Sequence, residues 1–224
     1  MHSLRLPPDA PPYHLTPMTS PTKKSAATTT SGGPDSTPPR VCSVASRYNT
    51  AVTHSMRDAA VSTYNARFPT ADNAFLGIVE APGAYELTAL AAAAIESGAY
   101  EGVVALGCVI RGETDHDRYI SLAVATGLTT LTLQTGVPVA FGVITANTPE
   151  QATARAGGSD GKLSGNKGTE AMAALLDTLA AARHLFESAA DDARSDVSLN
   201  GPATDNTNTN TNPANGTPAA PSPA

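Results

Sequence analysis

From Val41 onward, short apolar runs alternate with stretches in which apolar residues recur at helical spacing. VCSVA, Val41 to Ala45, reads as a first strand, followed by a helix that begins near Thr50 to Thr53 and ends around Asn65. FLGIV, Phe75 to Val79, is a second strand, after which Pro82-Gly83 opens a helix carrying Leu87, Leu90, Ala91, Ala94 and Ile95. Gly98 closes that helix as a C′ glycine. The run Gly102 to Ile110 is the most continuously apolar, which predicts a central strand covered on both faces. A helix with Ile120, Val124, Leu128 and Leu131 then stops at Gly136, and Pro138 to Ile144 makes a fourth strand. Thr148-Pro149-Glu150-Gln151 has proline at the first helical position and the spacing of a capping box, so a short helix runs from there to about Arg155. A glycine-rich connection, Gly157 to Gly168, leads to a last helix through about His184. Strands that alternate with crossover helices in the order βαβαβαβα predict a layered α/β/α fold around a mainly parallel four-stranded sheet.

The flanks have a different composition. Of 18 prolines, nine precede Val41 and five follow Gly201, so residues 41–186 form the expected folded domain. Residues 1–40 are rich in Pro, Ser and Thr, and residues 187–224 end in a polar low-complexity stretch. Neither offers enough apolar surface to offset ordering entropy, and both are expected to be disordered tails. The N-terminal tail resembles a transit peptide in its Ser/Thr content but lacks an Arg-rich amphipathic helix, so the expected compartment is the cytoplasm, with the plastid stroma as the alternative. No apolar run approaches the roughly 20 residues that span a bilayer. Net charge is −6 with no tryptophan and no basic stripe, which argues against a nucleic-acid partner. Two cysteines, Cys42 and Cys108, both within apolar runs, supply neither a disulfide scaffold nor a zinc site.

In open parallel sheets the ligand sits beyond the carboxyl ends of the strands, where this chain has SRYNT, EAPGAYE, RGETDHD and TANTPEQ. RGETDH places glycine and threonine just before a helix N-terminus, whose free N–H groups and dipole favour an anion such as phosphate. His116 lies in that loop and is either a proton-transfer group or a solvent-exposed helix-capping side chain. Arg155 either forks onto a phosphate or complements a helix C-terminus, and Lys167 either supports an anion or is a solvated loop lysine. Tyr48, Tyr85 and Phe141, from a chain with six Tyr and four Phe, lie near strand-end loops, where they could sandwich a flat heterocycle or pack in the core. Glu86 could accept from a ring N–H or serve as an acid in a helix's first turn. No second histidine sits at ligand spacing from His116, so no metal is expected. The residues by themselves support a sugar-phosphate or nucleotide binder.

Taken in order, SRYN, PGAYE, LGCVIRGETDH, GVPVAFGVIT, EQATARAG and GNKGTEA resemble the lumazine synthase family of riboflavin biosynthesis, across about residues 41–185. The resemblance implies a flavodoxin-like fold and a transferase. Its reaction condenses 5-amino-6-ribitylaminouracil with 3,4-dihydroxy-2-butanone 4-phosphate to 6,7-dimethyl-8-ribityllumazine, phosphate and water, with no cofactor. By the same resemblance Tyr48 stacks on the pyrimidine, Ala84, Tyr85 and Glu86 contact the uracil and ribityl chain, and Cys108, Val109 and Ile110 line the pocket. Glu113 and Thr114 match phosphate-loop positions, His116 matches the proton-transfer residue, Phe141 and Arg155 match residues supplied by a neighbouring subunit, and Lys167 matches a supporting lysine.

Two departures bear on these expectations. Where the family usually has an aromatic after the loop histidine, this chain has Asp117-Arg118 before Tyr119, so Asp117 either adds negative charge beside His116 or faces water. The connection from Arg155 to Lys167 is longer than the family's compact turn, which goes with 60-subunit shells; the longer form resembles pentameric members. The expected assembly is therefore a homo-oligomer, a pentamer rather than a shell, with riboflavin synthase as a further partner. The contrasting expectation is a catalytically weak assembly or lumazine/flavin-binding protein on the same fold.

Overall fold

The computed structural model describes residues 37–71, 75–158 and 161–199, with side chains through residue 189. The tails expected to be disordered fall largely outside these residues, namely 1–36 and 200–224. The elements are β1 (Val41–Ser46), α1 (Thr50–Arg67), β2 (Leu76–Ala81), α2 (Leu87–Glu96), β3 (Gly102–Ile110), α3 (His116–Thr135), β4 (Val139–Ala146), α4 (Pro149–Arg155) and α5 (Lys167–Leu199). The four strands form one sheet in the order β2-β1-β3-β4, every neighbouring pair parallel.

Strand alternation sorts the interior into two cores. Val41 and Ala45 of β1 and Val104, Leu106 and Cys108 of β3 face Met56 and Tyr64 of α1 and Met172 and Leu175 of α5. Cys42 and Val44 of β1 and Val103, Ala105 and Val109 of β3 face Leu87 and Ala91 of α2 and Val124 and Leu128 of α3. A sheet covered on both faces accounts for the unbroken burial of β1 and of all but the last residue of β3. No helix among the described residues is long and apolar enough to cross a membrane.

Local signals explain most boundaries. Gly98 and Gly136 follow α2 and α3 with φ of 65° and 70°, the left-handed conformation that lets a chain leave a helix. Thr148 accepts from the Gln151 N–H at 3.3 Å, and Gln151 reaches back to the Asn147 N–H at 2.9 Å, so the expected capping box exists with its return bond displaced by one residue.

Strands β2 and β4 each run two residues beyond the expected ends, to Ala81 and Ala146, and two helix boundaries differ more. Pro82-Gly83 does not open α2; residues 82–86 form turns, with Leu87 N–H bonded to the Ala84 carbonyl at 3.2 Å, and helix begins at Leu87. Helix α5 does not end near His184 but continues to Leu199, taking in residues 187–199 of the expected tail. Beyond Phe186 the segment ESAADDARSDVSL has no apolar stripe to signal a helix, yet its Ala, Glu, Arg and Leu have high helix propensity.

The chain's entry into the sheet is pinned at the first described residues. Tyr64 Oη donates to the Pro39 carbonyl at 2.8 Å, Arg183 donates to the Thr37 carbonyl at 3.1 Å, and Arg183 also pairs with Glu101. Burial pushes the Tyr64 phenol up from its ordinary value, with Glu101 adding to the rise and Arg183 opposing it.

Candidate active site

Beyond the carboxyl ends of β1, β2 and β3 lies a cavity of about 500 Å³ lined by Tyr48, Asn49, Gly83, Ala84, Tyr85, Glu86, Cys108, Val109, Ile110, His116 and Ile120. Three loops and the end of β3 converge there, at the place where parallel sheets bind ligands. Tyr48 is 72% and Tyr85 63% exposed, so these rings stand at the cavity mouth and are not core residues. Ala84, Cys108 and Val109 are buried in its wall. An apolar wall with a few polar groups suits a flat, partly polar ligand.

The loop after β1 is held in shape by local hydrogen bonds. Asn49 adopts φ 55° and ψ 50°, a left-handed conformation that asparagine tolerates better than most residues, and it directly precedes α1. Its side-chain amide donates to the Cys108 carbonyl at 3.1 Å, while the Tyr48 N–H donates to Ser46 Oγ at 3.2 Å. The Thr53 hydroxyl lies 3.4 Å from the Asn49 carbonyl. These contacts hold the loop that carries Tyr48 against the end of β3.

Cys108, buried in the cavity wall, has its thiol pushed up from 9.0 to about 11 by that burial. Cys42, in the α2/α3 core, is raised to about 11 for the same reason.

His116 is the first residue of α3, and its Nδ1 lies 2.6 Å from Thr114 Oγ1. The Thr114 hydroxyl thus adjoins the cavity through the histidine. Glu113 lies in the same exposed loop but does not line the cavity. Asp117 lines a separate polar recess of about 260 Å³ with Ser121, Thr145, Asn147 and Gln151. Among the described residues, no group of three or more His, Cys, Asp or Glu side chains is placed to hold a metal ion.

Three further residues are located elsewhere. Phe141, on edge strand β4, and Lys167, at the start of α5, line a groove of about 380 Å³ between β4 and α5, where Lys167 pairs with Glu170 at 3.0 Å. Arg155 ends α4, exposed, and lines neither the His116 cavity nor this groove. Within one chain the structure brings together Tyr48, Ala84, Tyr85, Glu86, Cys108, Val109, Ile110 and His116, with Thr114 alongside, and leaves Phe141, Arg155 and Lys167 apart.

Asn49, Gly83 and Ile120 line the cavity without having been singled out as site residues in the sequence. Ile120 could have been found, since it lies four residues after His116 and therefore on the same helix face. Asn49 carried a weaker signal, an asparagine just ahead of a helical pattern, which is common at helix starts for reasons unrelated to ligands.

The fold and the cavity define a class of protein: a parallel α/β protein with a strand-end pocket for a small ligand and a histidine at its edge. The family model for 6,7-dimethyl-8-ribityllumazine synthase matches residues 38–183. The 6,7-dimethyl-8-ribityllumazine synthase 1 of Caulobacter vibrioides is 44% identical over 155 residues, covering 69% of this chain and 97% of that protein. The corresponding synthase of Rhodopirellula baltica is 41% identical over 140 residues, and that of Helicobacter pylori strain HPAG1 is 39% identical over 140; each alignment covers 62% of this chain and 86% of the relative. The chain belongs to the 6,7-dimethyl-8-ribityllumazine synthase family.

Proposed function

We infer that this chain is the transferase that condenses 5-amino-6-ribitylaminouracil with 3,4-dihydroxy-2-butanone 4-phosphate, forming 6,7-dimethyl-8-ribityllumazine, phosphate and water in riboflavin biosynthesis. The observation that carries this reading is the convergence of Tyr48, Tyr85, Glu86 and His116 on one cavity in a chain of this family. Tyr48 and Tyr85 offer flat faces to the pyrimidine, Ala84 and Glu86 hydrogen-bond the uracil and ribityl chain, and Cys108, Val109 and Ile110 form the wall behind them.

The reaction needs an amine to attack a ketone, water and phosphate to leave, and a second amine to close the ring. Each step moves a proton, and an imidazole can both give and take one through its ring nitrogens, so His116 is the proton-transfer group. Backbone N–H groups of Glu113 and Thr114 receive the phosphate ahead of α3. Holding two reactants in one cavity supplies much of the remaining acceleration.

Phe141, Arg155 and Lys167 lie away from the cavity of their own chain, which supports a ring in which Phe141 and Arg155 complete the site of a neighbour and Lys167 braces that edge. Arg155 then neutralises the departing phosphate. The assembly is a pentamer, with riboflavin synthase as the enzyme that receives its product.

The test mixes both substrates with the purified protein and follows lumazine absorbance. A rate well above the uncatalysed condensation is expected, and a rate equal to it would overturn the reading and leave a ligand-binding protein in its place. Light scattering is expected to give the mass of five chains of 22.7 kDa; a particle of megadalton mass would replace the pentamer with a shell.

A further inference from the structure

We propose that the side chain of Thr114 is a positioning residue for His116, holding the imidazole by Nδ1 so that Nε2 is the nitrogen that exchanges protons with the substrates. This rests on the proton-transfer reading of His116 and assigns Thr114 a role distinct from that of its backbone N–H in the phosphate loop.

Two contacts fix the ring. Thr114 Oγ1 and His116 Nδ1 are 2.6 Å apart, a short hydrogen bond for an oxygen–nitrogen pair. The ring also rests against Gly112: a Cβ built on that glycine would meet His116 Cε1 at 2.9 Å, with Nδ1 and Nε2 farther away at 3.7 and 3.9 Å. Any side chain at position 112 would displace the ring, so this glycine makes room for the imidazole. With Nδ1 engaged and Cε1 packed, Nε2 has no partner among the described residues and His116 lines the cavity.

The chemical type of the partner matters. A carboxylate or carbonyl oxygen on Nδ1 accepts only, which locks the neutral ring with its proton on Nδ1. A hydroxyl can accept from Nδ1–H or donate to bare Nδ1, so Thr114 can hold the same ring orientation in either neutral tautomer and in the cation.

Imine formation alternates the neutral ring with the cation, and the Thr114 hydroxyl can accept from Nδ1–H in both. The primary amine adds its lone pair to the ketone carbon, and one proton of the resulting ammonium passes through Nε2 to the alkoxide, giving the carbinolamine. The remaining N–H proton then passes through Nε2 to the hydroxyl, which leaves as water as the C=N bond forms, so both amine protons end on the departing oxygen and the imidazole is neutral again.

The test uses the full-length assembled protein carrying ¹⁵N-labelled histidine, with His116→Ala identifying the resonances of His116 among the five histidines. In Thr114→Val, the His116 Nδ1 and Nε2 shifts are expected to move and kcat to fall by about tenfold or more, with KM for the phosphate substrate changed by less than about twofold. Thr114→Ser keeps the hydroxyl and is expected to restore both the shifts and kcat. Unchanged shifts in Thr114→Val, or a rise in KM at constant kcat, would overturn the proposal, the second because the hydroxyl would then serve the phosphate. If kcat survives His116→Ala, the proton-transfer reading fails first, and the nitrogen shifts still judge the Thr114 contact separately.

Discussion

Asn49 donates its side-chain amide to the Cys108 carbonyl at 3.1 Å, joining the loop that carries Tyr48 to the strand that walls the cavity. The same asparagine holds a left-handed backbone, so one residue both turns the chain and anchors the turn. Two substitutions separate these contributions. Asn49→Gly keeps the conformation and loses the hydrogen bond, which is worth about 1 kcal/mol. Asn49→Ala loses the bond and also places a Cβ in the left-handed region, adding about 1 kcal/mol more. Urea denaturation is expected to rank wild type above Gly above Ala. Both variants are expected to raise KM for the ribitylaminouracil, and an unchanged KM in both would show that the anchor does not place Tyr48.

A second junction fixes where Arg155 leaves its helix. Asn166, fully buried, donates to the Ala156 carbonyl at 2.7 Å and accepts from the Gly168 N–H at 2.9 Å, and Ser55 donates to the same Ala156 carbonyl at 2.7 Å. The start of α5, the end of α4 and the middle of α1 therefore meet at one side chain. Asn166→Ala strands the buried Gly168 N–H and is expected to cost about 1–3 kcal/mol. Gly168→Ala should be worse, because its Cβ would lie 1.8 Å from the Met56 carbonyl oxygen, and both backbones are held in helices. About 3 kcal/mol or more is expected, read as a fall in the denaturation midpoint. A Gly168→Ala protein as stable as wild type would mean that α1 and α5 can separate without cost.

Cys42 and Cys108 give a pH dependence of definite sign. Burial raises both thiols from 9.0 to about 11. Below pH 9 the folded and unfolded chains both hold these protons, so the thiols leave stability unchanged with pH. Between pH 9 and 11 the unfolded chain releases them while the folded chain retains them, and unfolding is favoured progressively. Stability is expected to decline across that window and the decline to shrink in Cys42→Ala. A disulfide-exchange reagent at pH 8 is expected to modify neither thiol in the native protein at an appreciable rate. Rapid labelling of Cys108 would instead show that the cavity wall opens.

The sheet was legible because its strands carry strong, unambiguous patterns. Gly102 to Ile110 is apolar at nearly every position, and a strand buried on both faces leaves no other place for such a run. Gly136 was legible for a similar reason, as a left-handed stop at the end of a clear helical period. The far half of α5 was not, because beyond Phe186 propensity alone signals a helix and polar, alanine-rich sequence also suits a solvated tail. At the site, Tyr48, Tyr85, Glu86 and His116 could be placed from strand-end logic, whereas Ala84, Cys108, Val109 and Ile110 came only with the family resemblance. The geometry of the Thr114 and His116 side chains could not, since adjacency in a loop does not say which atoms meet. The separation of Phe141 from the cavity was legible only through the family resemblance, which matches it to a neighbour's residue; the residues alone leave it near Tyr48 and Tyr85, because no pattern says that β4 is an edge strand while the cavity lies beyond β1, β2 and β3.

That separation leads to a test of the shared site that needs no structure of the assembly. If His116 acts in its own chain's cavity and Arg155 acts in a neighbour's, then His116→Ala and Arg155→Ala damage every site of their respective homo-oligomers. His116→Ala is expected to reduce kcat, and Arg155→Ala chiefly to raise KM for the phosphate substrate. When the two variants are unfolded together in equal amounts and refolded, mixed rings form in which some sites pair an intact His116 with an intact Arg155 from the adjacent subunit. Random mixing makes about one site in four of this kind, so activity should rise from the sum of the variants towards about a quarter of wild type. If both residues served the same chain's cavity, no mixed ring would contain an intact site and mixing would restore nothing. Recovery therefore depends on the subunit to which Arg155 contributes, and a refolded mixture no more active than its components would return both residues to a single chain.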